Sequence, residues 1–147
     1  MIRTATPEDI PVLITLRKRQ LVDEGITPDQ DIDNDLHRFF ATRMRDDTLV
    51  EWVKEEDGHI IATAAIVFYD FPPACTNVTG MKGYITNMYT HPDYRRPGIA
   101  TQLLTLAVEE AKARGVAKLW LGASRSGRPV YEAFGFHGSE EWMEMTL

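Results

Sequence analysis

A switch of hydrophobic period, from strict alternation to a helical stripe, constrains this chain more than any other feature, and it falls between Tyr84 and Arg114. The run Tyr84-Ile85-Thr86-Asn87-Met88-Tyr89-Thr90 is β-branched and aromatic in alternation and reads as a strand, ended by His91-Pro92-Asp93 because proline has no N–H to give the ladder. After the turn, Ala100, Leu103, Leu104, Ala107, Val108 and Ala111 fall on one face of a helix, which Gly115 stops. Pro97 and Gly98 sit at the helix entry, where a missing N–H costs nothing and an absent side chain lets another group approach the backbone. Unpaired N–H groups at a helix start, beside Arg95 and Arg96, describe an anion site around Arg95, Arg96, Gly98, Ile99, Ala100 and Thr101. The dipole contributes only roughly 0.3–2 kcal/mol, so specific binding of a pyrophosphate needs the donors and guanidiniums to converge.

Two common phosphate loops do not fit. No lysine follows Gly98, as a P-loop requires, and a dinucleotide fingerprint needs more glycines than this stretch holds. The stretch resembles instead the pyrophosphate motif of the GNAT superfamily of acyl-CoA N-acyltransferases, Arg/Gln-x-x-Gly-x-Gly/Ala, matched by Arg95, Gly98 and Ala100. The strand before it, the amphipathic helix after it, and the later segment Tyr131-Glu132-Ala133-Phe134-Gly135-Phe136 stand in that family's order. The resemblance covers nearly the whole chain and is most secure from Tyr84 to Phe136. It implies one GNAT-like N-acetyltransferase domain over residues 1–147, of α/β (α+β) class, with a mixed central sheet flanked by helices.

The rest of the sequence agrees with one globular domain. A chain of 147 residues is long enough to bury roughly two-thirds of its unfolded surface. Its apolar (44%) and charged (26%) fractions are ordinary for a soluble protein, and no window reaches the roughly 18 apolar residues of a membrane span. No secretory h-region follows Met1, so a cytoplasmic location is the expectation. The single cysteine, Cys75, excludes an internal disulfide and a cysteine metal cluster, and His37, His59, His91 and His137 lack ligand spacing, so no metal is expected. A net charge of −6 argues against a nucleic-acid surface and suits a cationic acceptor, small molecule or peptide. A homodimer stays among the open oligomeric states.

In chain order, Ile2 to Ala5 reads as a strand, and Thr6-Pro7-Glu8-Asp9 starts a helix whose apolar face is Ile10, Leu13, Ile14 and Leu21, with Gly25 at its end. Thr27-Pro28-Asp29-Gln30 has the form of a capping box and starts a second helix through Ile32, Leu36, Phe39 and Phe40 to about Arg45; its phenylalanines read as core, although the resemblance also implies that this region walls the acceptor site, where they would touch substrate. Leu49 to Glu55 and Ile60 to Tyr69 form a hairpin about Asp57-Gly58, the second strand apolar enough to be central. Asp70 to Lys82 is a loop. Lys118 to Ala123 is a strand parallel to Tyr84–Thr90, Pro129 to Phe134 a short helix, and His137 to Leu147 a closing strand.

Acyl transfer from a thioester to an amine needs a bound acyl-CoA, a neutral amine and an acid for the leaving thiolate. The resemblance supplies acetyl-CoA as co-substrate, the backbone of Met88, Tyr89 and Thr90 for the pantetheine arm and an oxyanion-hole amide, and Tyr131 as the acid. Ser124 and Arg128 sit where they reach either the cofactor or only their own turn. Some family members carry a glutamate on the central strand; here that strand holds Thr86, Asn87 and Tyr89, so Asn87 is the candidate for orienting a water that removes the proton, with Glu24, Asp70, Glu140 and Glu141 as unranked carboxylates from loops. Two functions remain open: an N-acetyltransferase working by direct attack in a ternary complex, or a non-catalytic acyl-CoA-binding or protein-interaction module.

Overall fold

The computed structural model describes residues 1–95 and 98–147. Arg96 and Pro97, named above in the anion site and the helix entry, lie outside the described residues. The chain runs β1 (Ile2–Thr4), α1 (Ile10–Asp23), α2 (Asp33–Arg45), β2 (Leu49–Glu56), β3 (His59–Asp70), β4 (Met81–Thr90), α3 (Ile99–Ala113), β5 (Leu119–Leu121) and α4 (Arg128–Phe134), with 3₁₀ turns at Pro7–Asp9 and Pro92–Tyr94. The strands form one sheet in sequence order. β1 to β4 are antiparallel neighbours, and β5 joins β4 in parallel after the α3 crossover. The mixed sheet with flanking helices is the α/β architecture expected.

Strand alternation decides which helix packs where. Leu49 and Val53 of β2 join Ile10, Leu13 and Phe40 in a cluster between the sheet and α1–α2. Val50 and Trp52 point the other way, into a larger cluster with Ile66, Ile85, Leu103, Leu104 and Ala107 under α3. Phe40 is fully buried, and Phe39 packs against the same cluster, as their core reading requires. Among the described residues no helix is long and apolar enough to cross a membrane.

Two expectations are corrected. The Thr27–Gln30 segment does not start a helix: the Asp29 N–H turns back to the Thr27 carbonyl (2.9 Å), and the helix begins only at Asp33, whose N–H donates to the Asp31 carboxylate (3.0 Å). Lys18 of α1 then pins Asp33 at 2.7 Å. His137–Leu147 contains no strand. β5 is only three residues long and offers little ladder, so the segment is held by side chains: Trp142 stacks on Trp120 (3.9 Å between centroids) and Lys118 pairs with Glu141 (3.2 Å). Met143, Met145 and Leu147 are left exposed.

The N-terminal helix start is a 3₁₀ turn before it is an α-helix. The Thr6 N–H donates to Asp9 Oδ2 (2.8 Å), and both Asp9 oxygens accept from Arg3 (2.8 and 2.9 Å), whose guanidinium also donates to Glu55 (2.6 Å). Hydrogen bonds from Arg3 hold the Asp9 carboxyl down to about 2, below its ordinary 3.8. A lowered carboxyl stabilises the fold above its ordinary value and loses that contribution as pH falls toward 2. Asp9→Asn is therefore expected to cost about 1–2 kcal/mol near neutral pH and to lose the difference at the acid end, read by urea unfolding between pH 6 and about 2. A constant gap between variant and wild type across that range would rule out the linkage.

Candidate active site

The sheet opens at its functional end. β4 pairs with β5 only over Gly83–Ile85 with Leu119–Leu121, although β4 itself runs on to Thr90. Beyond the paired stretch β4 carries a bulge: Thr86 lies opposite Ala65 and Tyr89 opposite Thr63, so Asn87 and Met88 face the single residue Ala64. Asn87 takes a left-handed backbone, with φ of 53°. Met88, Tyr89 and Thr90 therefore run along a gap where the neighbouring parallel strand has ended.

A cleft of about 450 Å³ occupies the gap. Met88, Tyr89 and Thr90 form one wall, Ala100 and Arg95 the end at α3, and Ser124 and Tyr131 the opposite wall, with Gln20, Asp23 and Glu24 closing it from α1. At the α3 entry Gly98 has φ of 98°, in the region that favours glycine, and a side chain there would meet nothing within 4 Å. Ile99 is 5% exposed and packed into the core, so only its backbone faces an anion, and Thr101 is exposed on the first turn. Arg95 spans the mouth: its Nε donates to the Thr90 carbonyl (3.0 Å), and Nη2 lies 3.6 Å from Asp23. A second cavity of about 770 Å³, lined by Leu21, Val22, Ile26, Ile32 and Asp29, adjoins the cleft at Asp23 and Tyr89.

The sequence profile of the acetyltransferase (GNAT) family matches residues 13–136, which takes in β2 to β5, α3, α4 and every described residue lining this cleft. The chain belongs to the GNAT acetyltransferase family. A crystal structure, with acetyl-CoA, of a predicted acetyltransferase from Clostridium acetobutylicum is 53% identical, covers 99% of this chain and 95% of that one, and superposes with a TM-score of 0.96. A GCN5-related N-acetyltransferase from Ralstonia eutropha (24% identical, 99% and 97% covered, TM-score 0.86) shares the fold. The [ribosomal protein bS18]-alanine N-acetyltransferase of Escherichia coli K12 is 36% identical over 67 residues. That match covers 44% of this chain and 45% of the relative, so the chain matches under half the length of this curated relative.

Within this GNAT cleft two tyrosines contribute lining, Tyr89 of β4 and Tyr131 of α4. Tyr131 is 9% exposed, with its ring edge-on to Phe136 (6.1 Å), and burial first, then the charges of Glu24 and Tyr84, push its hydroxyl up to about 12. Phe134 and Phe136 pack against the core under α3. Ser124 Oγ accepts from the Gly127 N–H (3.1 Å), so it shapes its turn while lining the cleft. His91 likewise serves a turn, its Nδ1 accepting from the Asp93 N–H (3.2 Å). Of the four carboxylates left unranked above, Glu24 alone lines the cleft; Glu141 is paired with Lys118. Among the described residues, no three His, Cys, Asp or Glu side chains are grouped to hold a metal ion.

Asn87 is not among the residues that line the cleft. Its side chain is 5% exposed, and Nδ2 donates to Glu51 Oε2 (3.3 Å). Glu51 itself, at 2% exposure, and Thr63, which lines the cleft and donates to the Asn87 carbonyl (2.7 Å), were not singled out from the sequence. A lone carboxylate in the apolar run Leu49-Val50-Glu51-Trp52-Val53 was the available signal. Gln20 was missed as well: its Nε2 donates to Glu24 (3.1 Å), while its buried Oε1 has no hydrogen-bond partner among the described residues.

Proposed function

We propose that the chain transfers an acetyl group from acetyl-CoA to the primary amine of a small-molecule or peptide acceptor by direct attack in a ternary complex. The observation that carries this reading is the departure of β4 from β5 after Ile85, which leaves a cleft running from the α3 entry past Met88–Thr90 to Tyr131. The α3 N-terminus with Gly98, Ile99, Ala100 and Thr101, together with Arg95 and Arg96, would take the pyrophosphate; Met88, Tyr89 and Thr90 would hold the pantetheine arm, with Ser124 facing them. The amine nitrogen attacks the thioester carbon, a β4 amide stabilises the oxyanion, and the C–S bond breaks toward a thiolate that Tyr131 stabilises and that ends with the proton the amine sheds. Asn87 acts on this step by shaping the β4 wall.

The acceptor would enter from the larger adjoining cavity and reach the thioester beside Asp23, Glu24 and Gln20. An amine N–H meets the orphaned Gln20 oxygen, and the two carboxylates with the net charge of −6 favour a cation.

The test uses acetyl-CoA and a panel of amines. Acetyl-CoA is expected to raise Tm, since a ligand that binds only the folded state stabilises it, and free thiol should appear when the right amine is added. Gly98→Asp should abolish the Tm shift by setting a carboxylate against the pyrophosphate, whereas Gly98→Ala carries the same backbone strain without the charge and should keep most of it. An undiminished shift in Gly98→Asp would place the anion elsewhere. A Tm shift with no thiol release across the amine panel would favour the non-catalytic binding module.

A further inference from the structure

Glu51 is a buried carboxyl group that the reaction as described does not use. It sits between Leu49 and Val53 on the face of β2 turned toward α1 and α2, where an unpaired carboxylate is strongly disfavoured. Arg17 of α1 and Asp9 at the start of that helix act on it through space with opposite signs, and its hydrogen-bonding partner is the Asn87 side chain, across the sheet on β4. An apolar residue at position 51 would suit that cluster better, so the carboxyl group calls for a reason beyond packing.

That reason lies in what Asn87 does. It is the bulge residue with a left-handed backbone, a conformation that asparagine takes more readily than most non-glycine residues but that still costs energy unless its surroundings hold it. Two side chains hold it: Glu51 accepts from its side-chain amide, and Thr63 donates to its backbone carbonyl. The bulge, Asn87 and Met88, begins two residues after Ile85, the last residue of β4 that pairs with β5, and includes the first of the three β4 residues that line the cleft. We propose that Glu51 is a positioning residue for acyl transfer: through Asn87 it locks the β4 bulge and so fixes the backbone of Met88, Tyr89 and Thr90 along the cleft. The inference rests on the reading of that wall as the acetyl-CoA site. Burial, which pushes the Glu51 carboxyl up to about 8, keeps it protonated at neutral pH, so its Oε2 accepts from Asn87 without a bare charge in the core.

The experiment compares the full chain as wild type, Glu51→Leu and Glu51→Gln by amide hydrogen exchange and by acetyl-CoA affinity. In Glu51→Leu, exchange at Met88, Tyr89 and Thr90 is expected to quicken about tenfold or more while that of Leu103 and Leu104 in α3 stays as in wild type, because the loosening is local. Acetyl-CoA Kd should weaken by about tenfold, and Glu51→Gln, which keeps an oxygen for Asn87, should return both quantities to within about threefold of wild type. A merely structural role would not produce this local pattern or its rescue. In wild type the same three amides should also shift with a midpoint near pH 8, and that titration should vanish in Glu51→Gln. Exchange and affinity within about twofold of wild type in Glu51→Leu, or no recovery in Glu51→Gln, would overturn the proposal. Should Glu51→Leu fail to fold, Asn87→Gly keeps the left-handed backbone without the amide, and unchanged exchange at Met88–Thr90 in that variant would overturn it equally. If wild type itself binds no acetyl-CoA, the functional reading falls, while the exchange and titration arms still decide the role of Glu51.

Discussion

Tyr131→Phe is expected to lower kcat by about tenfold to a hundredfold while acetyl-CoA affinity and the fold change little. The hydroxyl, pushed up to about 12 by burial, stays protonated throughout the working range and is always available to donate. It is also a weaker acid than an ordinary phenol. A thiol titrates near 8.5, so complete transfer from Tyr131 to the CoA thiolate would run uphill by about 3.5 units, or roughly 5 kcal/mol. The useful contribution is then a charge-assisted hydrogen bond to the sulfur as negative charge develops, about 1.5–3 kcal/mol, which is the source of the expected range. The proton that finally neutralises the thiolate is the one released by the amine. Two measurements check this: single-turnover acetyl transfer by Tyr131→Phe, and the pH profile of the wild type, in which Tyr131 should cause no descending limb below about pH 10. A single-turnover rate within about twofold of wild type would leave Tyr131 as a packing residue only.

What was legible in the sequence follows from how local each signal is. The alternation of Tyr84–Thr90, the stripe from Ala100 to Ala111 and the stop at Gly115 are set by neighbouring residues, and each recurs in the fold as β4, α3 and the turn after it. Tyr131, Ser124, Ala100 and Met88–Thr90 meet in one cleft because the short loops between these elements leave the chain little choice. The failures are non-local. Whether Thr27 or Asp31 organises the start of α2 depends on Lys18 fifteen residues away, and whether the last residues form a strand depends on the length of edge that β5 offers them. Asn87 was visible as a polar residue on a central strand, but its orientation was not, because that depends on a bulge and on a partner 36 residues distant in the chain. Glu51 was hidden for the same reason: a carboxylate in a strand reads as surface until the helices that cover it are placed.

The covering of Glu51 gives the fold a pH dependence opposite to that of most acidic residues. Wild-type stability is expected to fall as pH rises from about 5 to about 8, and Glu51→Gln to remove that fall. Desolvation raises the folded-state carboxyl from its ordinary 4.5 to about 8, against the smaller opposing effects of the Asn87 hydrogen bond and Arg17. Below 4.5 the group is protonated in both the folded and unfolded chain, and its stabilising contribution relative to the ionised state is fully present. Between the two values the unfolded chain gives up the proton and the folded chain retains it, so unfolding is favoured by roughly 1.4 kcal/mol for each pH unit. The contribution is lost as pH rises through the folded value. The whole interval would amount to roughly 5 kcal/mol if nothing moved; water entry or a closer approach of Arg17 reduces the charge's cost, so about 2–4 kcal/mol is expected. Asp9 does not confuse the result, since its lowered carboxyl changes stability only between 3.8 and about 2. Urea unfolding at one-unit steps from pH 5 to 9 measures the slope in each protein. Glutamine keeps the shape and the acceptor but cannot ionise, and any constant offset it introduces drops out of the comparison of slopes. Parallel curves for wild type and Glu51→Gln would mean that Glu51 ionises in the folded protein at its ordinary pH, and that the α1–α2 layer does not keep water from it.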